Sequence, residues 1–253
     1  MTGYGINGAY APTKHITSVK NPLVTETASL KTEGGPDAFL LEGDKFINDM
    51  LPRDILRIFS TEPGICASYA EKGVENYEVS GSVLSKLSGE TSRSRLVAVV
   101  RKHGSPMPER LLLLDGIQDP GNCGTMIRTA SAFGFGVICG EGTANPFLPK
   151  AVRSAAGAVC GAYIERTDLE TRIPELKRLG FLICGSALEE NALSACKTAG
   201  KTALVIGSEG RGLSAEVAAM CDRTYYIPIK NVESLNAAVA AGILMFALGG
   251  DTD

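Results

Sequence analysis

The sequence predicts an α/β protein in two parts: a C-terminal, mostly parallel sheet covered by helices on both faces, preceded by a small α/β/α domain. Three observations carry this. Short apolar runs alternate with helix-like stretches along the 253-residue chain. One run with two prolines, a glycine and several charges, residues 101–110, interrupts the alternation and reads as a linker. Beyond it, runs such as Leu111 to Leu114 are apolar at every position, as strands buried on both faces are.

Taken in order, residues 1–11 are rich in Gly and Tyr and lack the charged-then-apolar pattern of a signal segment, so a flexible leader is expected. Within 12–100, strands are expected at 38–41, 55–59, 77–79 and 96–100, with helices at 43–51, 62–72 and 82–88. Within 111–253, strands are expected at 111–114, 135–139, 181–184, 203–206 and 224–229. A helix over 125–133 precedes Gly134, a residue suited to a left-handed cap. An alanine-rich helix over 234–248 closes the chain.

The composition sets limits. Apolar residues make up 44% of the chain, enough for a full core, and no apolar run reaches the roughly 18 residues of a membrane span. The seven cysteines (Cys66, Cys123, Cys139, Cys160, Cys184, Cys196 and Cys221) form no Cys-x-x-Cys pair, which predicts reduced thiols in a cytoplasmic protein. With only His15 and His103 present, no His/Cys metal site is expected. Residues up to 110 carry 13 basic and 13 acidic groups, and the remainder 12 and 15, for a net charge of −3. That balance offers no global attraction for nucleic acid, so any such grip needs a local basic patch.

Three segments combine strand ends, glycines and isolated polar groups, the combination found where open α/β sheets bind ligands. In the first, Leu114 runs through Asp119-Pro-Gly-Asn122 into a helix carrying Arg128. Asn122 is suited to an N-cap and Arg128 to a solvated face, and a helix N-terminus there also favours an anion. In the second, Gly207-Ser-Glu-Gly-Arg-Gly-Leu-Ser214 follows a strand and precedes a helix, letting backbone approach a ligand closely. Its Gly-x-x-Gly-x-Gly spacing differs from the dinucleotide fingerprint, no phosphate-loop lysine follows, and Glu209 would repel a pyrophosphate. It suits a ligand that is cationic or offers hydroxyls. In the third, Tyr226-Ile-Pro-Ile-Lys-Asn-Val-Glu-Ser-Leu-Asn236 leads from a strand into the closing helix, with Ser234 either a cap or a functional group.

In this order and spacing the three segments resemble the motifs of the SpoU/TrmH (SPOUT) RNA methyltransferases, as does Asn145-Pro-Phe-Leu-Pro-Lys-Ala-Val-Arg-Ser-Ala-Ala-Gly157 between them. The likeness covers roughly residues 108–250. Ile16-Thr-Ser-Val-Lys-Asn-Pro22 and Phe39-Leu-Leu-Glu-Gly43 are similar to the ribosomal-protein-like substrate-binding domain often fused ahead of such enzymes. The resemblance implies transfer of a methyl group from S-adenosyl-L-methionine to a ribose 2′-hydroxyl, in rRNA first and tRNA second. A third alternative is an RNA-binding homologue without catalysis. It also implies a deep trefoil knot, a homodimer whose active site borrows from the partner subunit, and no metal.

By motif match, Gly207, Ile227 and Leu235 contact the cofactor, with Gly210, Ile229 and Ala238 beside them. The catalytic set is Asn122, Arg128, Glu209, Ser234 and Asn236. Arginine is a poor base, so Arg128 is expected to bind phosphate and stabilise the developing alkoxide. Asn122 and Asn236 would orient Arg128 and the ribose, Glu209 would position Arg128 or the nucleotide, and Ser234 would hold the hydroxyl or the cofactor carboxylate. Arg93, Arg95, Lys150 and Arg153, with Arg101 and Lys102, are the expected RNA-binding cations, gathered into one patch in a dimer groove. The chain departs from the motif in three places. The loop from Ile227 to Leu235 is one residue short and has Lys230-Asn231 where a glycine is usual. Ser208 stands where Asn or Ala is common. Residues 31–38 lack the basic groups that usually precede Phe39.

Overall fold

A computed structural model describes residues 10–32, 34–89, 94–187, 193–194 and 198–249. Residues 1–9, most of the expected leader, lie outside them, as do Arg93 and Cys196. Chain contacts divide the protein into two units, Met1–Lys102 with Phe147–Pro149, and His103–Pro146 with Lys150–Asp253.

The first unit contains β1 (Lys14–Ile16), α1 (Pro22–Ser29), β2 (Ala38–Glu42), α2 (Asp44–Asn48), β3 (Ile55–Ser60), α3 (Pro63–Glu71), β4 (Glu75–Val79), α4 (Gly81–Leu87) and β5 (Leu96–Arg101). They form a five-stranded sheet in the order β1-β4-β3-β5-β2. The first three strands of that order run parallel, while β5 is antiparallel to both its neighbours. Leu40, Phe59, Val83, Leu87 and Val97 fill one core face, each removed from solvent. β1 and α1 were not anticipated. β1 has only three residues, too few to show a period, and α1 owes its start to Asn21, whose side chain accepts the Leu23 N–H at 2.9 Å, and to Pro22 at the first helical position.

The second unit contains β6 (Arg110–Asp115), α5 (Pro120–Ala132), β7 (Gly136–Cys139), α6 (Pro149–Ala155), β8 (Ile164–Arg166), α7 (Leu169–Arg178), β9 (Leu182–Ser186), β10 (Leu193–Ser194), β11 (Thr202–Gly207), α8 (Ala215–Met220), β12 (Arg223–Tyr226) and α9 (Ala237–Gly249). Its sheet has seven strands in the order β10-β12-β9-β11-β6-β7-β8, and every pairing is parallel. Leu111 and Leu113 face α7 and α8 in a core with Ile173, Leu176, Ala203 and Val205. Leu112 and Leu114, equally buried, point to the opposite face, where α9 packs on β11 and on α5.

Three boundaries differ from expectation, and each matters to the site. α5 begins at Pro120 rather than 125, because Asp119 is its cap: Oδ1 accepts the Asn122 N–H at 2.9 Å. Asn122 is therefore inside the first turn, not the cap. β12 stops at Tyr226, leaving Ile227 to Leu235 as a loop. α9 begins at Ala237, capped by Asn236, whose Oδ1 accepts the N–H groups of Ala238 and Val239 at 3.0 and 3.2 Å, so Ser234 is not a cap. Six of the cysteines lie among the described residues, four of them buried. Burial pushes the Cys66 thiol up to about 11.

Candidate functional site

The three motif segments meet beyond the C-terminal ends of β11 and its neighbours. Gly207, the last residue of β11, explains the loop that follows. A Cβ there would collide with the backbone of Gly212 and Leu213, so only glycine lets the chain fold back on itself. The return is fastened by the Gly212 N–H donating to the Ser208 carbonyl at 2.9 Å, with Gly212 in the left-handed region at φ +68°. From the adjacent strand β6, Asp115 accepts the Ser214 N–H at 2.7 Å, and Ser214 caps α8.

This turn carries Glu209 to the centre of a polar network. Its Oε1 accepts from Asn122 Nδ2 at 2.9 Å, from Asn236 Nδ2 at 2.7 Å and from the Ala237 backbone N–H at 3.2 Å. Asn236 Nδ2 also donates to Asn122 Oδ1 at 3.1 Å. One carboxylate thus joins the starts of α5 and α9 to the loop after β11. Such charge-assisted bonds are roughly twice as strong as neutral ones, so the group is held in one orientation.

Two cavities flank this network and share Ser208, Glu209, Arg211, Gly212 and Ala237. The smaller, about 310 Å³, is walled by Ile227, Ile229, Leu235 and Leu244, with Ser186, Ser208, Thr224 and Ser234 bringing hydroxyls. The larger, about 560 Å³, is walled by Asp115, Gln118, Asp119, Asn122 and Glu141.

Of the residues expected to hold the cofactor, Gly207, Ile227, Ile229 and Leu235 line the smaller cavity, while Gly210 lines the larger one. Ala238 lines neither. With α9 starting at Ala237, Ala237 and Ala240 face the cavity and Ala238 turns into the core. In the shortened loop, Asn231 takes φ +65°. Asparagine is among the few residues that tolerate this, so it serves where the motif usually has glycine. The smaller cavity suits S-adenosylmethionine: apolar walls for a purine and thioether, hydroxyls for a ribose or carboxylate, and, in the wall shared with the larger cavity, the Glu209 carboxylate, whose charge favours a cationic ligand.

Of the residues expected to be catalytic, Asn122, Glu209 and Asn236 are brought together, and Ser234 lies in the adjoining cavity wall. Arg128 is not with them. It is exposed on α5 and, among the described residues, has no hydrogen-bond or ion-pair partner. Glu209 therefore does not position Arg128 within one chain, because the two asparagines take its oxygen. The cations expected to contact RNA are dispersed in sequence and in role. Lys150 pairs with Asp119 at 2.6 Å, steadying the cap of α5, and Arg153 is exposed on α6. Arg95, in the first unit, pairs with Asp44 at 3.3 Å, and Arg101 is exposed at the end of β5.

Sequence reasoning missed Ser186 and Ala187, Thr224, Asp115 and Arg211. The first two reach the site only because β9 lies beside β11, a neighbour relation that strand order reveals and composition does not. Arg211 lines both cavities and sat in plain view within the glycine-rich run. Among the described residues, no group of three or more His, Cys, Asp and Glu is placed to hold a metal ion, and no helix is long and apolar enough to cross a membrane.

Comparison with known proteins fits this geometry. The profile of the SpoU rRNA Methylase family matches residues 109–246. The chain is 34% identical over 252 residues to the 23S rRNA (guanosine(2553)-2′-O)-methyltransferase RlmP of Bacillus subtilis, covering 94% of this chain and 100% of that one. It is 37% identical over 157 residues to the 23S rRNA (guanosine-2′-O-)-methyltransferase RlmB of Coxiella burnetii, covering 60% and 62% of the two chains. Among solved structures, an AdoMet-bound rRNA methyltransferase from Sinorhizobium meliloti superposes with a TM-score of 0.81 at 28% identity, over 93% of this chain and 97% of that one.

Proposed function

The chain belongs to the SpoU rRNA methylase family, and on that premise we propose that it transfers the methyl group of S-adenosylmethionine to a ribose 2′-hydroxyl of ribosomal RNA in the cytoplasm. The observation that carries this reading is the wall shared by the two cavities, with Glu209 at its centre. The smaller cavity holds the cofactor through Gly207, Ile227, Ile229 and Leu235, and the larger receives the acceptor nucleotide. The bound cofactor supplies an already activated methyl group on a sulfonium.

What remains for the protein is positioning, the exclusion of water and the handling of one proton. Glu209, fixed by Asn122 and Asn236, sets the ribose against the shared wall. Ser234 holds the hydroxyl or the cofactor carboxylate. Arg128 stabilises negative charge on the 2′-oxygen as its proton leaves. Because Arg128 stands free on α5, this role requires that the arginine of a second copy reach the site. The surface beside it supports a homodimer: Val239, Ile243 and Phe246 on α9 are 51%, 42% and 71% exposed, a stripe at helical spacing that a monomer leaves wet. Residues 12–100 form the RNA-substrate-binding domain in this reading, 101–110 the linker, and the loops around α9 the trefoil knot of the family. Arg93, Arg95, Lys150 and Arg153 supply contacts to RNA phosphates.

The test is to map 2′-O-methyl nucleotides on RNA from cells with and without the gene, then restore the missing one with purified protein and S-adenosylmethionine. Loss and restoration of one rRNA ribose methyl group is the expected result. Unchanged rRNA, or a methyl group restored on a base or on tRNA, overturns the reading.

A further inference from the structure

Resting on the reading that the larger cavity receives the acceptor nucleotide, we infer that Arg211 is a positioning residue that binds the phosphate 3′ to the methylated ribose. Two things fix where that phosphate must lie. The methyl group comes from the smaller cavity and the ribose from the larger, so the 2′-oxygen is met at the wall the cavities share. In RNA the 2′-hydroxyl and the 3′-phosphate stand on neighbouring carbons of one ring. The 3′-phosphate is therefore carried to the same wall.

The surroundings are hostile to an anion. Asp115, Asp119, Glu141 and Glu209 all line the larger cavity. Lys150 answers the charge of Asp119 at 2.6 Å, but Asp115 and Glu209 are met by uncharged N–H groups of backbone and asparagine. A phosphate entering such a space needs a cation at the point of contact. Among the described residues that line either cavity, Arg211 is the one cation, and it lines both.

Its backbone is preset for the contact. Arg211 stands on the turn closed by the Gly212 N–H donating to the Ser208 carbonyl at 2.9 Å, and Gly207 is pressed against the backbone of Gly212 and Leu213. Two residues earlier on the same turn, Glu209 is anchored to the starts of α5 and α9. The Cα of Arg211 is thus held, while its side chain is exposed and has no hydrogen-bond or ion-pair partner among the described residues. A planar guanidinium offers paired N–H donors that match two phosphate oxygens, and a held backbone lowers the cost of ordering it. Two arginines then divide the labour. Arg128 meets charge that develops on the 2′-oxygen and governs the chemical step, whereas Arg211 meets a charge present throughout and governs RNA binding.

The experiment measures methylation of rRNA from a strain lacking the gene over a series of KCl concentrations, with calorimetric cofactor affinity and thermal midpoint recorded alongside. Arg211→Gln should raise KM for the RNA by about 10- to 100-fold with a far smaller change in kcat. Its plot of log kcat/KM against log [KCl] should be shallower by about 0.7, the share of one single-strand phosphate. Arg211→Lys keeps the charge and loses the fork, so it should restore that slope but only part of the KM. A transcript with an uncharged methylphosphonate linkage 3′ to the mapped ribose should be a poorer substrate for the wild type and no further penalised in Arg211→Gln. An unchanged salt slope, or an equal methylphosphonate penalty in both proteins, removes Arg211 from that phosphate. Weakened cofactor binding with normal KM for the RNA moves it to the cofactor carboxylate and overturns the inference, while the methyltransferase reading stands. A wild type that methylates no rRNA ribose overturns both.

Discussion

The two cavities share a wall but are built from different parts of the chain. The smaller is shaped by backbone: Gly207 pressed against Gly212, a loop turned by Asn231, and apolar side chains that offer surface rather than direction. The larger is shaped by side-chain carboxylates, three tied to backbone or amide donors and one left open. A pocket of the first kind tolerates changes of side-chain polarity and fails when an atom is added to its main chain. A pocket of the second kind tolerates small changes of volume and fails when a hydrogen-bonding partner is removed.

Substitutions can break this contrast. The largest effect is expected from a residue in neither cavity of one chain. Arg128→Ala should lower kcat by about 1,000-fold or more while cofactor affinity, measured by calorimetry, stays at the wild-type value. Near-normal turnover would mean that the cavities of a single chain suffice. Next, Gly207→Ala should weaken cofactor binding at least tenfold and cost about 3 kcal/mol in a urea melt, because the added methyl meets backbone that cannot yield. Glu209→Gln comes third. It keeps the volume but presents an amide to the two asparagine amides, so kcat should fall by about 100-fold with stability changed by no more than about 1 kcal/mol. If Glu209→Gln loses cofactor affinity instead of kcat, the carboxylate belongs to the smaller cavity.

The smallest effect is one of pH. The Lys150 ammonium and the Asn122 N–H hold the Asp119 carboxyl below its ordinary value. Its folded value being depressed, the stabilisation is full above the unfolded carboxyl range, about pH 4, and is lost as pH falls through the lower folded value. The difference in thermal midpoint between wild type and Asp119→Asn should therefore be constant from pH 8 to about 5 and shrink only below about 4. A difference that changes near neutrality would assign the effect to another group.

Much of this was legible in the chain itself, but not evenly. The glycine-rich turn, Asn122, Glu209 and Asn236 are near one another in space as their motifs imply, and the apolar run at Leu111 to Leu114 is a buried parallel strand. The helix starts were misjudged because Asp119-Pro120 reads equally as a turn or as a cap followed by the first helical residue. α6, β8 and α7 went unseen. β8 has three residues, and Pro174 interrupts the apolar period of α7. The partners of Glu209 could not be read at all. A carboxylate's choice between a guanidinium and two amides depends on where α5 and α9 begin, to within a single residue.

Asn236 has its two side-chain atoms engaged on opposite errands: its oxygen caps α9, and its nitrogen grips Glu209. Fraying of that helix and slackening of the wall shared by the two cavities are therefore one event, not two. Protection of the Ala238 and Val239 amides against hydrogen exchange therefore reports directly on how firmly that wall is set.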